Sequence, residues 1–153
     1  MAYVVPVKTD ATTQFTSALA VGEQETENVS LAAISALPQA PCIVKAISVS
    51  SVQNLAFDLV FFAKDTFQQA APNDEYFVAR IAYTAAIGTQ SVTGGLYEYM
   101  TLPVNFSYPY VDLDGTQELH VGLVVRGATA KLAGASGALS VTFWCEPMGA
   151  AGT

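Results

Sequence analysis

Apolar and polar positions alternate with a period of two along most of the chain, the pattern of strands that bury one face. In "NLAFDLVFFAK" (54–64), Leu55, Phe57, Leu59 and Phe61 share a parity and Asp58 faces away. Val60 and Phe62 are apolar on the other parity, so this segment predicts a central strand covered on both faces near its end. "EYFVARIAY" (75–83) sets Phe77, Ala79, Ile81 and Tyr83 against Arg80, and "ELHVGLVV" (118–125) sets Leu119, Val121, Leu123 and Val125 against His120. "ALSVTFWCE" (138–146) sets Leu139, Val141, Phe143 and Cys145 against Ser140 and Thr142. "PCIVKAISVSSV" (41–52) carries Ile43, Ile47 and Val49 on one parity, interrupted by Lys45. These five segments predict strands, with Phe57, Leu59, Ile81, Leu123, Val141 and Phe143 in the core.

Tyr3–Val7, Thr13–Val21, Val29–Ala33 and Leu96–Met100 are shorter strand candidates. "DTFQQA" (65–70) and "VSLAAISAL" (29–37) could each form a turn or two of helix, the second equally a strand. Pro38, Pro41, Pro72, Pro103 and Pro109 fall between these segments, where a missing N–H does no harm to a ladder. Strands without long intervening helices predict an all-β fold, an antiparallel two-sheet sandwich, with a jelly roll as the leading topology. Residues 1–35, rich in Thr, Glu and Gln, read as an N-terminal arm or edge strand, residues 36–148 as the sandwich domain, and 149–153 as a loose tail.

Composition sharpens this picture. A chain of 153 residues is one domain and buries roughly 68–70% of its unfolded surface. Charged residues make up only 12% against 52% hydrophobic, which excludes general disorder and suggests that part of the surface is covered by other protein. The net charge of −7 has the wrong sign for nucleic acid. The start "MAYVVPVKTD" has no signal-peptide pattern and no run of 18 apolar residues occurs, so neither export nor membrane insertion is expected. The triplets at 28–30 and 105–107 that fit the glycosylation pattern read as chance.

Chemistry is sparse. Cys42 and Cys145 read as small buried hydrophobes, with a disulfide possible only if their strands adjoin. His120 is the one histidine, and its place within an alternating strand predicts a surface or interface residue rather than a base. Asp112, Asp114 and Glu118 could serve as paired carboxylates for glycoside hydrolysis. Aligned to the calcium-loop pattern, "DLDG" (112–115) places Tyr110 and Val121 where the first Asp and the bidentate Glu belong, so the stretch reads as a turn. "GATAKLAGASGAL" (127–139) lacks a phosphate-cradle context and reads as a flexible or tip-forming surface loop. Tyr97, Tyr99, Phe106, Tyr108 and Tyr110 concentrate within a short stretch and fit an interface, a core rim or a sugar platform.

The order of segments "DLVFFAKDTF", "NDEYFVARI" and "GGLYEYMTLPVNFSYPYVDLDGTQELHVGLVVRGATAKLAGASGALSVTFWCEP" resembles the β-sandwich head decoration, or cement, proteins of tailed bacteriophages, over about Ile47 to Pro147. The resemblance implies a non-enzymatic virion subunit on the capsid exterior, commonly trimeric, with the major capsid protein as partner and no cofactor, metal or catalytic residue. Spaced apolar residues of the N-terminal segment, Tyr3, Val5, Val7, Phe15, Leu19 and Val21, are expected to add a strand to a neighbour's sheet, alongside the tyrosine cluster. Two alternatives stand beside it: a carbohydrate- or receptor-binding module of a phage tail, using the tyrosines and acids of 97–118, and a hydrolase dependent on His120 or Asp112.

Overall fold

The computed structural model describes residues 4–30, 42–62, 77–84, 89–90, 96–101, 108–110 and 118–147. Among these residues ten strands form two antiparallel sheets: β1 (Val5–Lys8), β2 (Gln24–Ser30), β3 (Cys42–Ser51), β4 (Ala56–Phe62), β5 (Phe77–Tyr83), β6 (Thr89–Gln90), β7 (Tyr97–Thr101), β8 (Tyr108–Tyr110), β9 (Glu118–Arg126) and β10 (Leu139–Pro147). One sheet has the order β1-β10-β3-β7-β6, with β8 also on β3; the other runs β2-β9-β4-β5. All-β character, expected from the alternation, is what the described residues show, and they contain no α-helix.

The pairing is nested. β1 pairs with β10, β2 with β9, β3 with β7 and β8, and β4 with β5, so the first half of the chain runs back against the second. β10 then pairs with β3, and β9 with β4, completing the two sheets.

Both sheets contribute to a single apolar cluster. Phe57, Leu59 and Phe61 of β4 and Leu119, Val121, Leu123 and Val125 of β9 pack with Val44, Ile47 and Val49 of β3 and Leu139, Val141, Phe143 and Cys145 of β10. The ring of Phe61 meets Phe143 of the other sheet edge-on, with centroids 5.7 Å apart, and Phe57 stacks on Tyr83. Of the six core residues expected from parity, five are buried and Ile81 is partly buried against them. The five main strand expectations all correspond to strands.

β3 explains why its pattern was broken. Trp144 lies opposite Ala46 and Cys145 opposite Val44, so Lys45 is an extra residue, a β-bulge that switches the parity. Beyond it Val44, not Ile43, faces the core. Cys42 and Cys145 do lie on adjoining strands, but Cys42 is opposite Pro147 in the register. Cys145 is fully buried in the main core.

The N-terminal segment, expected as an arm or an edge strand, pairs within the chain over its described residues. β1 and β2 are edge strands of the two sheets. β2 covers Gln24–Ser30 and so includes Val29 and Ser30 of the expected strand, whose residues 31–33 lie outside the described residues, and Thr13–Val21 forms turns with one isolated bridge, Leu19 to Lys131. Val7, Phe15 and Leu19 are buried in the chain's own core, so these three do not form a free contact surface. Phe15 holds a positive φ of 53°, a strained conformation for a bulky residue, and burial of its ring offsets that cost. In the same segment the Thr12 hydroxyl and amide both donate to Asp10 Oδ1, at 2.7 and 2.8 Å. These bonds, the hydroxyl's first, hold the Asp10 carboxyl below its ordinary value.

β1 is also poorly suited to strand addition. Thr9 N donates to Val141 O at 2.9 Å, so residues of that parity, Val5 and Val7 included, direct their backbone groups to β10 and Pro6 and Lys8 direct theirs to the open edge. Proline offers no N–H there, and lysine adds charge, which are two recognised ways of blunting a sheet edge.

The loop 127–139 is exposed along most of its length, as expected for a tip, but it is tied down. Lys131 is buried, and its Nζ donates to Ser17 O at 2.7 Å and Leu132 O at 3.4 Å. Gly134 N donates to Thr16 O at 3.0 Å. A 3-10 turn over Gly134–Gly137 follows, and a Cβ at Gly137 would lie 1.7 Å from Leu132 O, so only glycine fits. The helix candidate at 65–70 and the residues 31–37 of the second lie outside the described residues, as does the tail.

Truncating Phe143 to Ala should cost about 3–5 kcal/mol of unfolding free energy in urea titration, the range for a buried phenylalanine that leaves a cavity. A loss under about 0.5 kcal/mol would be incompatible with Phe143 joining the two sheets.

Candidate functional surfaces

Three arrangements on the two outward faces carry chemistry. The first lies on the four-stranded sheet, where β4 sits between β9 and β5. Asp58 is 3% exposed, and in the register it lies opposite Ala82 on one side and Val124 on the other. Arg80 lies opposite Val60, and Arg126 opposite Ala56, so the two arginines approach the carboxylate diagonally from both flanking strands. Arg80 Nε donates to Asp58 Oδ2 at 2.8 Å, and its Nη2 donates to the same oxygen. Arg126 Nε donates to Oδ2 at 2.7 Å. The arginine side chains are 49% and 45% exposed. Solvent therefore screens the guanidiniums while the carboxylate itself is shut away.

Next to this group, Val60, Phe62 and Val124 form a second buried apolar cluster, separate from the main core. His120, expected at the surface, is 0% exposed. It lies opposite Phe62 on one side and Asn28 on the other. Burial on both faces of β4 and β9 accounts for this: the outward parity of these strands is not a solvent face at that end. A role for His120 as an accessible base has no support in this placement.

The third arrangement lies on the six-stranded sheet. Trp144 is 36% exposed, lies opposite Pro6 and Ala46, and donates from its indole Nε1 to Ser48 Oγ at 2.9 Å. Val4, close by in the chain to Pro6, is also exposed. Lys45, the bulge residue, forms an ion pair with Glu146 at 3.2 Å. β10 keeps its alternation past the bulge, which lies in β3, so Trp144 faces outward between the buried Phe143 and Cys145.

The expected interface residues separate into groups. β7 and β8 both lie along β3, which brings Tyr97, Tyr99, Tyr108 and Tyr110 into one row opposite Ser51, Val49, Val44 and Cys42. Tyr97 packs against the main core, as a core-rim residue does. Val5 is partly buried against the same core. Tyr3, Phe106, Asp112 and Asp114 lie outside the described residues, and Glu118 opens β9, partly buried. No group of three or more His, Cys, Asp or Glu able to hold a metal occurs among the described residues.

Sequence reasoning did not single out Trp144 or the Asp58 group. Asp58 and Arg80 were both placed on outward parities, but that β5, β4 and β9 are neighbours is a fact of topology that parity does not contain. No protein-family model matches the chain, and no curated protein matches it significantly.

Removing the Asp58 carboxylate should leave two guanidiniums facing each other across β4. Asp58→Ala is expected to lower stability by about 1–3 kcal/mol, the scale for losing charge-assisted hydrogen bonds at a buried acceptor. The check is a urea titration of both proteins; equal midpoints would mean that the group contributes nothing net.

Proposed function

We propose that the chain is a structural, non-enzymatic virion protein of a tailed phage, a jelly-roll sandwich that binds the outer surface of the capsid and decorates or stabilises it as a homotrimer. The observation that carries this reading is the nested strand pairing, β1 with β10, β2 with β9, β3 with β7 and β8, and β4 with β5. That order is what two Greek keys wound into a double sheet produce, an architecture found in viral capsid and lectin domains. The segment order that resembles head decoration proteins points to the first of these, and so does a surface with few charges. The contact does not use a free N-terminal strand in this reading, because β1 and β2 are already paired within the chain. Affinity comes instead from preformed outward faces, multiplied by symmetry when several copies bind one lattice.

A carbohydrate-binding role is the second reading, and Trp144 is the feature that favours it. Its ring is partly exposed and pinned by Ser48 on a face with Ser50, Ser140 and Thr142, a flat aromatic among hydroxyls. A glycan screen in which binding disappears on Trp144→Ala would establish this reading in place of the first.

The decoration reading is tested by mixing the purified chain with DNA-free heads of the phage whose genome encodes it. Light scattering should give a trimer, and the chain should co-sediment with heads saturably. A monomer that stays in the supernatant at micromolar concentration would overturn it.

A further inference from the structure

We infer that Arg80 and Arg126 form a dock for a side-chain carboxylate of a partner protein. They are the chain's only arginines, separated widely in sequence, and the fold brings both to one oxygen of one carboxylate. Two guanidiniums against one carboxylate leave one net positive charge at this spot, in a chain whose net charge is −7. The remaining bases do not compete for this role: Lys131 is buried, Lys45 is paired with Glu146, Lys8 is on the other sheet, and Lys64 is outside the described residues.

The geometry of the donors specifies the ligand. Among the described residues, Arg126 engages Asp58 through Nε alone, which leaves its two terminal Nη groups for another acceptor; Arg80 uses Nε and Nη2, which leaves Nη1. Asp58 fixes both guanidiniums from below, so little side-chain entropy remains to be lost on binding. Paired Nη groups form the fork that matches a planar carboxylate bidentately. Phosphate shares the fork chemistry, but a nucleic acid backbone brings many charges and meets the repulsion of the acidic chain, whereas one carboxylate on a neighbouring protein brings one. The inference is independent of the virion reading, since it concerns any partner that presents an acidic side chain.

The test uses the whole chain labelled with nitrogen-15. Having two arginines, it gives two Nε signals, one for each member of the dock. An end-blocked tetraglutamate peptide, whose only carboxylates are side chains, is titrated at constant ionic strength against end-blocked tetraglutamine and against inorganic phosphate. Both Nε signals should move saturably with tetraglutamate and stay still with tetraglutamine. Arg126→Lys keeps the charge and loses the fork, and should weaken the peptide's binding about tenfold or more. An absence of saturable shifts would overturn the inference, as would tighter binding of phosphate than of peptide or undiminished binding by Arg126→Lys. Should that variant not fold, the wild-type comparison of the three probes decides alone.

Discussion

The structure depends on the double burial of β4 and β9. These neighbouring strands sit at the centre of the four-stranded sheet, with the main core on one face and the Val60, Phe62 and Val124 cluster on the other. Strands covered on both faces lose the freedom to place polar groups outward, and each polar group they carry needs a partner. Asp58 is the exception that demonstrates the rule, a carboxylate admitted to the sheet's middle because Arg80 and Arg126 reach it from both sides. The opposing sheet closes on this pair through β3 and β10, with Phe61 against Phe143 at the contact. Edge strands β1 and β2 are then added at the periphery, where charge and proline are tolerated.

How much of this was legible follows from burial. Strands with one face in the core and one face wet write their parity into the sequence, and β10 was read in this way down to single residues. The first residues of β2 were missed because an edge strand with Glu25 and Glu27 has no apolar alternation to read. Thr13–Val21 erred in the opposite direction: Phe15 and Leu19 are apolar because turns bury them, not because a ladder does. Lys45 looked like an interruption and is a bulge, which parity cannot signal without its partner strand. β6 and β8, with two and three residues, are too short to carry a period.

The chemistry was less legible than the fold. Asp58, Arg80 and Arg126 come from three strands, and only the order β9-β4-β5 makes them one group. Trp144 was hidden between two core residues of its own strand, and its value lies in the bond to Ser48 on the neighbouring strand. His120 was read as exposed from parity alone, which fails where both faces of a strand are covered. In each case the missing information was which strands are neighbours, a long-range property fixed by pairing between the two halves of the chain.

Amide hydrogen exchange tests the central claim most directly, because it ranks strands by the free energy needed to open them. If the doubly buried pair anchors the molecule, the amides of β4 and β9 exchange slowest, at the rate of global unfolding, while those of β1 and β2 exchange faster through local opening. Exchange of the β4 and β9 amides as fast as those of the two edge strands would contradict the account.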